Sequence, residues 1–209
     1  MNAQNPLFPE INAAELEPRG FRYCDELISP EEQSALVESL GKLELKPFEF
    51  HGYLGNRRVV SFGLKYDYTR REVERASAIP PFLDDLLLRV AEFAGYEPAA
   101  FRQVGVNEYR PGAGIGWHKD KPQFGVVVAV SLLAPATLRF RRKQGVRWER
   151  ISHIVRPGSI YMLAGESRAQ WEHSIPSLDQ LRYSITFRTV AEGFRLDETG
   201  DASNVVVPD

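Results

Sequence analysis

From Arg182 to Arg188 the chain reads Arg-Tyr-Ser-Ile-Thr-Phe-Arg, with polar and apolar side chains alternating without a break. A period of two belongs to a β-strand, whose successive side chains leave opposite faces. Arg182, Ser184, Thr186 and Arg188 then share one face, and Tyr183, Ile185 and Phe187 fill the other. This part of the chain is committed to a sheet with one polar and one apolar side. The two arginines admit two readings. On an outer face they are simply solvated; facing a bound dicarboxylate they are clamps, because a guanidinium meets a carboxylate with paired, charge-assisted hydrogen bonds.

A second pattern lies upstream. Residues 107 to 120 read Asn-Glu-Tyr-Arg-Pro-Gly-Ala-Gly-Ile-Gly-Trp-His-Lys-Asp. His118 and Asp120 are two positions apart, so on an extended segment both side chains reach toward one point. His173, in Trp-Glu-His-Ser-Ile at the start of another strand-like run, supplies a third ligand. One carboxylate with two imidazoles is the facial triad of non-haem Fe(II) oxygenases, which leaves positions open for a co-substrate and O2. A His-x-Asp tripeptide alone is equally at home in a surface loop; the downstream arginine strand separates the two readings.

Taken in order, Asn107-x-Tyr109-x-x-Gly112, His118-Lys-Asp120, His173 and Arg182 to Arg188 resemble the AlkB family of Fe(II)/2-oxoglutarate dioxygenases. The resemblance implies a mainly β fold with flanking helices and a double-stranded β-helix (jelly-roll) core. It implies Fe(II) held by His118, Asp120 and His173, and 2-oxoglutarate held by Asn107, Tyr109, Arg182, Ser184 and Arg188, with one arginine at each carboxylate end. The reaction implied is O2-dependent hydroxylation of DNA or RNA, either demethylation of an alkylated base or modification of transfer RNA. The stretches 165 to 175 and 56 to 63 are most similar to the branch containing transfer-RNA wobble-uridine hydroxylases and short bacterial members. Two positions depart from the family's DNA-repair members: Pro122 stands where many carry an acidic base contact, and Ser184 where they often show Asn. The same chemistry on a protein or small molecule is the alternative, and a non-catalytic binding module the minor one.

At 209 residues the chain fits one domain. The expected organisation is an N-terminal extension over 20–100 with helices and a substrate lid, a catalytic jelly-roll over 101–190, and a loose tail over 192–209. Ser29-Pro-Glu-Glu32 reads as a capping box with proline in the first turn, opening a helix that stops at Gly41. Leu83, Leu86, Leu87, Val90 and Phe93 give a second helix, from Pro80 to Gly95. Both helices are expected on the outside of the sheet. In the lid region, Arg57, Arg58, Lys65, Tyr66 and Tyr68, together with Lys121, are the substrate candidates that the resemblance implies. The competing reading is that such aromatics fill a sheet face.

The formal net charge is −2 and the pI about 6.1, which argues against a broadly basic nucleic-acid binder. Positive charge is concentrated instead in Arg139, Arg141, Arg142, Lys143, Arg147 and Arg150, read either as the solvated face of a hairpin turning at Gln144-Gly145 or as a phosphate contact. The absence of a long apolar run and of a signal-peptide core predicts a cytoplasmic protein without a membrane partner; protein partners are not legible. Cys24 reads as core, His51 and His153 as structural or exposed, and Trp117 and Trp171 as packing that steadies the neighbouring ligands.

Overall fold

The computed structural model describes residues 17–50 and 53–195. Most of the lead-in, His51, and the tail beyond 195 lie outside the described residues. Ser29 caps helix α1 (Pro30–Gly41): its Oγ accepts the Glu32 amide at 3.2 Å while the Glu32 carboxylate accepts the Ser29 amide at 2.8 Å. Helix α2 (Asp84–Ala94), entered through a 3-10 turn at Pro81–Leu83, ends at Gly95 with φ +76°, the left-handed conformation glycine adopts without penalty. Arg89 of α2 forms an ion pair with Glu32, tying the two helices together.

The strands are β1 (Phe21–Cys24), β2 (Lys46–Phe50), β3 (Tyr53–Phe62), β4 (Leu64–Asp67), β5 (Glu72–Arg75), β6 (Phe101–Tyr109), β7 (Ile115–His118), β8 (Phe124–Leu132), β9 (Ala136–Gln144), β10 (Arg147–Val155), β11 (Ile160–Leu163), β12 (Glu172–Ile175) and β13 (Arg182–Val190), with a short helix α3 (Gly165–Ala169) before β12. They form a seven-stranded sheet, β1-β11-β8-β13-β6-β3-β2, a four-stranded sheet, β10-β9-β12-β7, and the separate hairpin β4-β5. All pairings are antiparallel. The two large sheets face each other as a jelly-roll, and the N-terminal region supplies three strands of the larger one.

Of the three apolar clusters among the described residues, two hold this arrangement. One lies outside the larger sheet, where Leu40, Leu83, Leu86 and Val90 of the helical layer meet Val104, Val106, Val128, Val130, Tyr183, Ile185 and Phe187. Each such buried side chain contributes about 1.5–3 kcal/mol. The other lies between the sheets, where Val127, Ala129, Tyr161 and Leu163 meet Leu138, Phe140, Trp171 and Ile175. The alternation in β13 is therefore inverted relative to a solvated strand. Its apolar face carries the helices, and Arg182, Ser184 and Thr186, all buried, point between the sheets. Cys24 corrects the expectation of a core residue: with Phe21 and Tyr23 of β1 turned inward, Arg22 and Cys24 fall on the outer side, and the thiol is exposed. Among the described residues no helix is long and apolar enough to cross a membrane.

Candidate active site

Strand β12 lies between β9 and β7, and the pairing sets His173 directly opposite His118. The two imidazoles stand 4.3 Å apart between ring centroids, and His173 Nε2 is 3.5 Å from Asp120 Oδ2. Two residues distant in sequence are thus joined by strand pairing, while Asp120 follows from the end of β7. His118 Nδ1 lies 2.9 Å from the Gly116 carbonyl oxygen, the partner of a neutral ring's N–H, which leaves Nε2 with its lone pair.

Burial pushes the pKa of His118 down and that of His173 down to about 3, so both rings are neutral donors at ordinary pH. Burial acts on the Asp120 carboxyl in the opposite direction. It is outweighed by the guanidinium charges nearby, Arg188 above all and Arg168 with it, and the carboxyl titrates well below the usual range. Arg188 donates to Asp120 Oδ1 from Nε at 3.2 Å and Nη2 at 3.0 Å, yet Oδ2 is buried without a hydrogen-bond partner. As the side chains stand, no three or more His, Cys, Asp or Glu among the described residues form a closed set of metal ligands. The donor set nevertheless fits a divalent cation: a charged carboxylate with an orphaned oxygen, beside two neutral imidazoles.

A second orphaned group lies on the same face of β13. Arg182 is fully buried, its Nε donates to Ser131 Oγ at 3.1 Å, and its Nη1 and Nη2 have no partner. An unpaired buried guanidinium is costly, and two parallel free N–H groups match one carboxylate. Tyr109 lies against it, the ring centroid 5.1 Å from the guanidinium carbon, and Tyr161 nearby has its phenol pushed up to about 12 by burial. Pairing of β13 with β6 sets Arg182 against Tyr109, Ser184 against Asn107 and Arg188 against Gln103. The five residues expected at a co-substrate thus share one inner face. Arg188 is further held by Gln103 at 2.7 Å and Thr186 at 3.0 Å.

Of these groups, Asn107, His118, Asp120 and Arg188 line a cavity of about 1200 Å³, whose lining also includes Arg57, Tyr66, Tyr68 and Lys121; Arg182, Tyr109, Ser184 and His173 are not part of that lining. The Lys121 ammonium sits 4.8 and 4.9 Å from the rings of Tyr66 and Tyr68, and the Arg57 guanidinium 4.4 Å over Phe48. Seven cationic side chains line the cavity against three acidic ones, although the chain as a whole is acidic. Lys65 is there too, paired with Glu74 at 2.7 Å.

Arg58 does not belong to the cavity, which corrects its placement among the substrate contacts. It lies on the opposite side of β3 from Arg57, bound to Glu108 at 3.0 Å and to the Leu45 carbonyl at 2.7 Å. Trp171 is fully buried and meets Phe140 edge-on, as expected of a packing residue. Trp117 differs: it leaves β7 on the side opposite His118 and packs under Arg139 and Arg141. His153 is structural, set between Phe21 and Tyr23 with Glu17 at 3.0 Å.

Sequence reasoning missed Arg168. From α3 its guanidinium donates to the backbone carbonyls of Asp120 (3.2 Å), Lys121 (2.6 Å), Phe124 (2.8 Å) and Gly125 (3.0 Å), while Lys119 reaches back to the Ala169 carbonyl at 2.9 Å. The segment entering His173 and the loop leaving Asp120 are thereby fastened to each other.

The family model of the 2OG-Fe(II) oxygenase superfamily matches residues 20–188. The chain is 29% identical over 164 residues to the Mus musculus tRNA (carboxymethyluridine(34)-5-O)-methyltransferase ALKBH8, covering 76% of this chain but 24% of that protein. It is 33% identical over 116 residues to the Salmonella typhimurium alpha-ketoglutarate-dependent dioxygenase AlkB, covering 49% of this chain and 50% of the relative. The solved structure of OsALKBH1 superposes with a TM-score of 0.59 at 18% identity, covering 83% of this chain and 98% of the other, a likeness of fold alone. The chain spans about a quarter of the length of the mouse relative. With the family model matched over most of the chain, this protein belongs to the 2OG-Fe(II) oxygenase superfamily, whose members use Fe(II), 2-oxoglutarate and O2.

Proposed function

We propose that the chain hydroxylates a substituted base of nucleic acid, with iron on His118, Asp120 and His173 and 2-oxoglutarate on Arg182, Arg188, Asn107, Tyr109 and Ser184. The observation that carries the substrate class is the cavity. Its volume of about 1200 Å³ exceeds the roughly 300–1,000 Å³ of an ordinary small-molecule site. Its lining combines Tyr66 and Tyr68 with Lys121 and Arg57, aromatic faces beside cations. A planar base stacks on such rings, and the flanking phosphates meet such charges. The relatives whose names mention tRNA and alkylated DNA agree with this class of substrate.

Each protein group then has a defined task. Arg182 offers its two unpartnered N–H groups to one carboxylate of the co-substrate, in a buried site where a charge-assisted pair is strong. Arg188 orients Asp120 and stands beside the site. Neutral His118 and His173 donate lone pairs, and Tyr66 and Tyr68 hold the base edge-on to the ligands and exclude water. Bound iron supplies the redox chemistry, in which 2-oxoglutarate loses CO2 to become succinate while one O2 oxygen enters succinate and the other converts the substrate C–H to C–OH.

The test is succinate release by the full chain with Fe(II), ascorbate and 2-oxoglutarate, alone and with methylated single-stranded DNA, methylated RNA or bulk transfer RNA. Stimulation by one of these, with the matching product by mass spectrometry, supports the reading. Turnover that none of them stimulates, but that a protein extract or metabolite pool does, replaces it with the same chemistry on another substrate.

A further inference from the structure

The outer face of the smaller sheet bears an aromatic and cationic stripe that meets the cavity only at Trp117. Pairing of β9 with β10 sets Arg141 opposite Arg150 and Lys143 opposite Trp148. The Arg141 guanidinium lies 4.5 Å from the ring centres of both Trp117 and Trp148, and Arg139 lies 5.0 Å over Trp117. Trp148 keeps 39% of its surface in solvent. A large indole left exposed and steadied on one side by a guanidinium presents a flat π-surface.

The charges on this face are not balanced for stability. Arg141 has Glu172 at 2.6 Å, but Arg139, Lys143 and Arg150 have no acidic partner among the described residues. Like charges directly opposite in a strand pair destabilise the sheet, so the fold gains nothing from Arg150 across from Arg141. An anionic partner would remove that repulsion. Arg142, the neighbour turned to the other face, is by contrast fully engaged with Glu149 and Glu166.

The stripe also has a direction. Trp117 lines the cavity as well, and the next residue is His118. From β10 to β7 the sheet crosses three inter-strand spacings, about 14 Å, which leads from the exposed hairpin to the mouth of the site. Exposed π-faces suit unpaired bases, whereas a duplex keeps its base faces stacked within itself.

Building on the nucleic-acid reading above, we propose that the outer face of β9 and β10 is the track along which a single-stranded nucleic acid approaches the cavity, a base stacking on Trp148 and phosphates pairing with Arg139, Lys143 and Arg150. Bases and phosphates are met by separate side chains, so the two contributions can be removed separately.

The experiment is fluorescence anisotropy of the full chain with an unmodified single-stranded oligoribonucleotide and its duplex, across a salt series. The wild type binds the single strand more tightly than the duplex. W148A weakens single-strand binding about five- to a hundredfold, W148F restores most of it, and neither changes substrate-free 2-oxoglutarate turnover. K143Q/R150Q flattens the salt slope by about 1.4, from about 0.7 per phosphate contact. If the wild type binds the oligonucleotide and both variants bind with its affinity and slope, the track is wrong and the nucleic-acid reading stands. If the wild type binds neither strand form at low salt, the nucleic-acid reading falls and takes the track with it.

Discussion

Arg188 directs two N–H groups, at 3.2 and 3.0 Å, onto a single oxygen of Asp120. The other oxygen, free of any hydrogen bond, is thereby held toward His173, 3.5 Å away. The last strand of the jelly-roll thus orients a carboxylate at the end of β7. R188A should therefore weaken Fe(II) retention and 2-oxoglutarate binding together, whereas R182A should weaken 2-oxoglutarate alone. Loss of a charge-assisted bond costs about 1.5–3 kcal/mol, roughly ten- to a hundredfold in affinity. Titrations of both ligands against both variants check this; equal effects of the two variants on iron would contradict it.

The unpartnered Nη groups of Arg182 make a prediction about stability. A buried charge without a partner is destabilising, so R182M should raise the melting temperature of the ligand-free protein or leave it unchanged. The wild type, in turn, should gain about 2.7 kcal/mol at 2-oxoglutarate concentrations a hundred times Kd, and R182M at that concentration much less. Differential scanning fluorimetry with Mn(II) or Fe(II), with and without 2-oxoglutarate, reads both.

Among the described residues Arg168 hydrogen-bonds to backbone carbonyls, those of Asp120 and Lys121 in the loop and of Phe124 and Gly125 at the start of β8. R168A should leave the fold intact but loosen residues 119–125, seen as faster proteolysis there and as weaker metal binding, with R168K recovering only part because one ammonium cannot span the carbonyls a guanidinium fork reaches. Unchanged proteolysis together with unchanged metal affinity would remove the positioning role.

Glu32 sets a pH dependence. The Arg89 ion pair and the Ser29 amide hold its pKa down at about 2, against an ordinary 4.5. A carboxyl with a depressed folded pKa stabilises the fold above its unfolded value, and that contribution is lost as the pH falls through the folded one. Between pH 4.5 and about 2 the wild type should therefore lose stability more steeply than E32Q, while above pH 5 E32Q is the less stable of the two. Urea midpoints across pH measure the difference.

Local signals were legible where one residue decides one geometry. The Ser29–Glu32 capping box, Gly95 at the end of α2 and the alternation of 182–188 each appear in the structure as read. What alternation could not say was which face points where. Arg57 and Arg58 are adjacent and chemically identical, and only the pairing of β3 with β6, which sets Arg58 beside Glu108, sends one into the cavity and the other into a structural ion pair. Cys24 failed for the same reason. Arg168 left no trace because its partners are carbonyls more than 40 residues away, and any residue type supplies a carbonyl. The stacking of Arg141 on Trp117 depended on β12 lying between β9 and β7.

The pleat of β13 has a consequence for divergence. Tyr183, Ile185 and Phe187 belong to the cluster under the helices, while Arg182, Ser184, Thr186 and Arg188 face the chemistry. A replacement at Ser184, or at Asn107 across from it, alters what the interior recognises without touching a side chain that packs against α2. The stability margin and the co-substrate site of such a strand are then free to drift separately, so one scaffold can change what its interior binds without passing through an unfolded ancestor.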